Sequence, residues 1–201
     1  MHTSFSASVR MVDTGSGWGL MTGRLEDALR GFTASFREIS TLLHSIEDRI
    51  THEKIEQIFG EETDEVILEA EGLRLIVADG ESLSWKSGER SFGGRYSIPN
   101  VVRIALMRAV ETGVWDREYA IREYFRMIED PLSGIMPALF DRIRRSADSG
   151  KISASRIADI ASGFGIRDAG ALIAELKGAG LISPWIRPGM DDAYYEIHPL
   201  F

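Results

Sequence analysis

The chain has 201 residues, long enough to bury a sizeable core in one large domain or two small ones. Its 44% hydrophobic and 27% charged residues exclude a wholly disordered, fibrous or membrane-spanning chain. A net charge of −8 excludes a protein that is basic all over, and the absence of cysteine removes disulfides, thiolate catalysis and cysteine-type metal sites.

Residues 1–23 are rich in Ser, Gly and Thr and read as a flexible segment, on which only Trp18 and Leu20 offer anchors. Arg10 interrupts the short apolar run at 9–12, so no secretory leader is expected. No later stretch nears the roughly 20 apolar residues that span a bilayer. The expected location is therefore the cytoplasm, with no membrane partner. Two further regions follow, a helical and β-meander domain over 24–130 and a C-terminal domain over 131–201. The fold class expected is α+β, mostly helical.

From residue 25 the apolar side chains fall at Leu25, Leu29, Phe32, Phe36, Ile39, Leu43, Ile46 and Ile50, in alternating steps of four and three. That a/d pattern predicts one long helix over 25–50, about 40 Å long at 1.5 Å per residue. Two readings stand for its seam. Leu29, Phe32, Phe36, Ile39, Leu43, Ile46 and Ile50 either pair two copies of the chain in a homodimer or pack on the chain's own helices. Gly31 inside the run costs either helix about 1 kcal/mol relative to Ala.

Residues 64–87 switch to period two. Val66, Leu68 and Ala70, then Leu73, Leu75 and Val77, then Leu83 and Trp85 alternate with polar or acidic neighbours. Glu71-Gly72 and Asp79-Gly80 read as turns, the second a strong hairpin signal. The pattern predicts a three-stranded antiparallel meander covered on one face by a helix. It sits in the most acidic part of the chain, since residues 61–97 carry nine acidic and four basic groups. A Gly- and Arg-bearing loop over 87–97 leads to a helical pair at 99–112 and 116–129, separated by Gly113. Trp115, Tyr119, Tyr124 and Phe125 read as core. Pro131 and Pro137 each suit the first turn of a helix.

The motifs of known chemistries fail on their own terms. Gly15-Ser16-Gly17-Trp18-Gly19 follows no strand and lacks the dinucleotide fingerprint, and Gly94 stands where a phosphate loop needs its lysine. His44, Asp48 and His52 share a face of the predicted long helix and read as its exposed polar side, while His198 reads as the end of the last strand. No Gly-x-Ser-x-Gly elbow occurs. The expectation is a protein that is not an enzyme, with no cofactor and no metal.

The C-terminal region carries the sharpest pattern. Leu139, Phe140 and Ile143 mark a helix ending near Asp148-Ser149-Gly150, followed by the extended Lys151-Ile152-Ser153. Ser153 or Ser155 caps a second helix with Ile157, Ile160, Ala161 and Phe164 on its buried face. After Gly163-Phe164-Gly165, Asp168 caps a third helix that buries Ala169, Leu172, Ile173 and Leu176. Gly178 and Gly180 end it. Strands at 181–186 and 193–197 then flank the turn Arg187-Pro188-Gly189-Met190-Asp191-Asp192.

Helix, short strand, helix, tight turn, helix and β-hairpin, with "GAGLIS" passing from helix to strand, resembles the winged helix-turn-helix superfamily over about a third of the chain. In its DNA-binding members the third helix enters the major groove, the wing touches the backbone, and the second helix starts against phosphate. The resemblance therefore implies base-facing positions at Arg167, Gly170, Ala171, Ala174 and Lys177. Phosphate contacts would come from Ser153, Ser155 and Arg156, with Arg187 in the wing. Arg142, Arg144, Arg145 and Lys151 would supply the counterion-releasing term. The implied function is a DNA-binding transcriptional regulator, acting as a homodimer on half-sites about 34 Å or a multiple apart. The recognition face of the third helix is small and nearly uncharged, with Glu175 on or near it, and the wing carries Asp191 and Asp192. Those features imply the alternative, an assembly factor whose winged helix docks on a protein partner.

Overall fold

A computed structural model describes residues 17–78, 94–185 and 191–201, with side chains from residue 22 onward. It is mostly helical, with two small antiparallel sheets, an α+β architecture as the sequence predicts. The predicted turn and strand at 79–85, the loop glycines at 88 and 93, and Arg187 lie outside the described residues.

The predicted long helix is broken. α1 (Gly17–Leu29) starts eight residues before the expected Leu25 and stops where the seam should continue, and α2 (Phe36–Ser45) resumes only after a turn. The cause is local chemistry at 30–35. Gly31 weakens the helix, and the Thr33 hydroxyl accepts the Ser35 backbone N–H at 3.0 Å while donating to the Glu69 carboxylate. Such side-chain bonds offer the backbone an alternative to the helical ladder. α2 ends at Ile46, whose backbone is extended, and the chain enters β1 (Arg49–Thr51). α1 folds back against α2 and also packs on a later helix of the same chain. Leu29, Ile39, Leu43, Ile46 and Ile50 are buried there, Phe36 is partly buried, and only Phe32 is exposed. The seam thus serves as the core of one chain, and its heptad spacing is produced by two short helices and a strand. His44 in α2 and His52 at the start of α3 (His52–Phe59) share no helix face for the same reason.

The predicted first strand of the meander is a helix. After a 3-10 turn, α4 (Thr63–Gly72) buries Val66, Ile67 and Ala70 and exposes Leu68. Val66 and Ala70 satisfy period two and helical i, i+4 alike. Asp64 and Glu65 in the first turn favour the helix through its dipole, which decides the ambiguity. A three-stranded sheet nevertheless exists, built from β1, β2 (Val77–Ala78) and β3 (Arg95–Ser97) in the order β1-β3-β2. Ile50 and Ala78 both face Tyr96 across it.

The helical pair appears as α5 (Asn100–Thr112) and α6 (Arg117–Met127), separated by Gly113 at φ +74°. Phe125 is buried, Trp115 and Tyr124 are partly so, and Tyr119 lies outside the core with Arg108 over its ring at 4.9 Å. α7 (Met136–Arg145) follows with Pro137 in its first turn. β4 (Lys151–Ser153), α8 (Ala154–Gly163), α9 (Ala169–Ala179), β5 (Ile182–Trp185) and β6 (Tyr194–Ile197) complete the chain close to the predicted bounds. Their sheet has the order β4-β6-β5, with Ile152 opposite Tyr195 and Ser183 opposite Glu196. β5 is an edge strand, which is where Pro184 is tolerated. One hydrophobic core runs from Leu25 to Phe201, through both halves of the chain.

Candidate nucleic-acid interface

α8 and α9 are set by their caps. Ser153 accepts the Arg156 backbone N–H at 3.2 Å, and Asp168 accepts that of Ala171 at 2.9 Å. Each satisfies an orphan donor at a helix start. α8 buries Ile157, Ile160 and Ala161, and α9 buries Leu172, Leu176 and Ala179. The opposite side of α9 shows Gly170, Ala171 and Ala174 to solvent, with Arg167 exposed just before the helix and Arg156 exposed in α8.

The two ends of α9 differ. Its C-terminal end rests on α5, where Asn100 Nδ2 donates to the Gly178 carbonyl at 3.3 Å. Gly180, at φ +84°, closes the helix against Pro99. Lys177 is half-buried beside this contact, so of the predicted base-facing set Arg167, Gly170, Ala171 and Ala174 stand clear. Glu175 is turned towards Asp130. Burial, then the nearby Asp130 and Asp168 carboxylates, hold its carboxyl above the ordinary range. Burial likewise raises the Tyr124 phenol.

The start of α8 is already occupied by an anion from the same chain. Asp192 Oδ2, at the base of the β5–β6 hairpin, accepts the Ser155 backbone N–H at 3.1 Å. Hydrogen bonds from the Ser155 hydroxyl and backbone hold that carboxyl below the usual range, with a smaller contribution from Ser153. The Ser153 and Ser155 hydroxyls lie 2.9 Å apart. Both predicted phosphate-binding serines are therefore engaged with the hairpin.

The predicted basic residues of α7 separate into two groups. Arg144 and Arg145 converge on Asp141, at 3.1 Å to Oδ1 and 2.8 Å to Oδ2. Arg142 is exposed. Lys151 Nζ lies 4.8 Å from the centre of the Trp185 ring, a cation–π contact that fixes the start of β4 to β5. Sequence reasoning missed Arg117, which reaches the same Asp141 from α6 at 3.9 Å. No spacing links residues so far apart in the chain.

Sequence reasoning also missed His198, which is buried and more than the end of a strand. Its Nε2 lies 3.0 Å from the Arg74 carbonyl, and its Nδ1 accepts the Leu200 backbone N–H at 3.2 Å. A carbonyl only accepts, so the ring is the neutral tautomer with its proton on Nε2. Burial pushes its pKa down to about 3. Arg74 in turn lies 3.6 Å from Glu196 in β6, and Trp115 Nε1 donates to the Leu200 carbonyl at 3.3 Å. The C-terminal sheet is thereby tied to both α4 and α6 ends of the molecule.

Among the described residues, no group of three or more His, Asp or Glu side chains is placed to hold a metal, and no helix is long and apolar enough to cross a membrane. No curated protein and no solved structure matches the chain. A family model matches residues 23–201, and the chain belongs to that family.

Proposed function

We propose that the chain is a DNA-binding regulator that reads duplex DNA with the N-terminal half of α9. The observation that carries this is the mounting of α9. Its far end is fixed on α5 and its inner face on α8, while the face of its near half that carries Gly170, Ala171 and Ala174 is exposed, with Arg167 before it and Arg156 on α8. The order of elements from α7 to β6 and the sheet order β4-β6-β5 support a winged-helix reading. The small residues on α9 allow close backbone approach to the groove, and Arg156 and Arg167 supply phosphate contacts. Asp168 on α9 and Asp192 on α8 act as helix caps, where the helix dipole offsets their charge.

Fluorescence anisotropy with a labelled mixed-sequence duplex tests the reading. The protein should bind at about 50 mM salt and lose at least ~10-fold in affinity by about 200 mM, as two or more phosphate contacts require. Arg156→Glu with Arg167→Glu should abolish binding while leaving thermal unfolding unchanged. A salt-independent response, or no binding at the lower salt, rejects DNA as the partner.

A second reading, docking on a protein, is favoured by one feature. The α8 N-terminus already holds Asp192, so a phosphate would have to displace it. The Gly170, Ala171 and Ala174 surface also suits close packing against a partner helix.

A further inference from the structure

We infer that Arg117, Arg144 and Arg145 form a second phosphate-binding patch, arranged by Asp141, that grips the backbone of a nucleic acid away from α9. This rests on the DNA reading above and adds to it a residue from the other half of the chain. Three guanidiniums meet one carboxylate, with Arg117 and Arg144 sharing Oδ1 and Arg145 on Oδ2. The four side chains together carry a net charge of +2. Each guanidinium has five N–H donors, and the contacts with Asp141 use only a few of them. The rest remain available at a half-exposed surface. Asp141 offsets the mutual repulsion of the three cations and orients Arg144 through a hydrogen bond at 3.1 Å, so less of that side chain's freedom is lost when an anion arrives.

The placement of Arg117 points the same way. It is the first residue of α6, at the positive end of the helix dipole, where a cation is unfavourable and acidic residues are preferred. Asp116 and Glu118 on either side and Asp141 across from it offset that cost, and Arg117 stands where α6 meets α7, beside Arg144 and Arg145. Arg144 and Arg145, in the last turn of α7, sit where the dipole welcomes them. An anion placed between the two helix ends gains from all three side chains at once. Planar guanidiniums match phosphate oxygens in bidentate fashion, which selects phosphate over a single point anion.

The experiment compares the wild type with Arg117→Gln, Arg117→Lys and the Arg156→Glu/Arg167→Glu pair, on a labelled duplex and separately on inorganic tripolyphosphate by calorimetry. Arg117→Gln should weaken duplex binding about three- to tenfold for every sequence and reduce the salt slope by about one. Arg117→Lys should recover part of that loss. Tripolyphosphate binding should fall with Arg117→Gln and persist in the Arg156→Glu/Arg167→Glu pair. If Arg117→Gln binds duplex with unchanged affinity and slope, the patch is rejected while the reading of α9 stands. If no variant binds duplex but tripolyphosphate binding still depends on Arg117, the patch stands and the DNA reading falls. Loss of neither ligand on Arg117→Gln overturns the inference outright.

Discussion

Gly180 faces the Pro99 ring with no room for a side chain: a Cβ at residue 180 would lie 2.8 Å from the Pro99 Cβ. The same glycine adopts φ +84°, in the left-handed region, to close α9. Gly180→Ala therefore meets both a backbone penalty of about 1–2 kcal/mol and a clash with a rigid ring. The expected loss is ~2–4 kcal/mol in urea unfolding. Gly163→Ala, with open space around it, should change stability by less than about 1 kcal/mol.

His198 makes stability depend on pH through its neutral, buried ring. Its folded pKa of about 3 lies below the ordinary 6.5, so the unfolded chain takes up the proton first. The stabilisation is complete above pH 6.5 and is lost progressively as pH falls towards 3, at up to about 1.4 kcal/mol per pH unit. Between pH 6.5 and 5 few carboxylates titrate, so the decline there reports the histidine. Urea midpoints of the wild type should fall across that window. His198→Gln, starting from lower stability, should show a flatter profile, and an equal slope in both proteins would remove this assignment.

Leu43 in α2 is buried in the core of one chain, so its truncation acts on that fold. Leu43→Ala should cost about 2–5 kcal/mol, the range for a deleted core leucine. The mass by light scattering should stay the same below the unfolding transition. A halved mass with unchanged stability would instead put the residue between two chains.

Asp192 at the start of α8 stands where a phosphate oxygen would be expected in the DNA reading. Asp192→Asn removes one negative charge and keeps a capping side chain. Duplex affinity should rise about two- to fivefold, the worth of one charge at a helix end. A weaker complex would show that the aspartate holds the hairpin in its binding position.

The C-terminal third was legible because its signals are local. Ser153 and Asp168 cap the helices that their spacing announced, and Gly180 ends α9 where expected. Residues 25–50 and 64–72 misled for a physical reason. Leu29, Ile39 and Leu43 keep a heptad spacing across a turn made by Thr33 and Ser35, because both helices bury one shared core. Val66 and Ala70 fit two periods at once, and the acidic first turn of α4 resolved them. Arg117 with Asp141, and His198 with Arg74, were beyond reach. The second pair lies 124 residues apart, and only tertiary packing brings the partners together.

Asn100 and Pro99 open α5 and hold the far end of α9 through Gly178 and Gly180. That joint, together with packing on α8 and β5, gives α9 three separate supports, so the exposed face that carries Gly170 and Ala174 is held by residues from both halves of the chain.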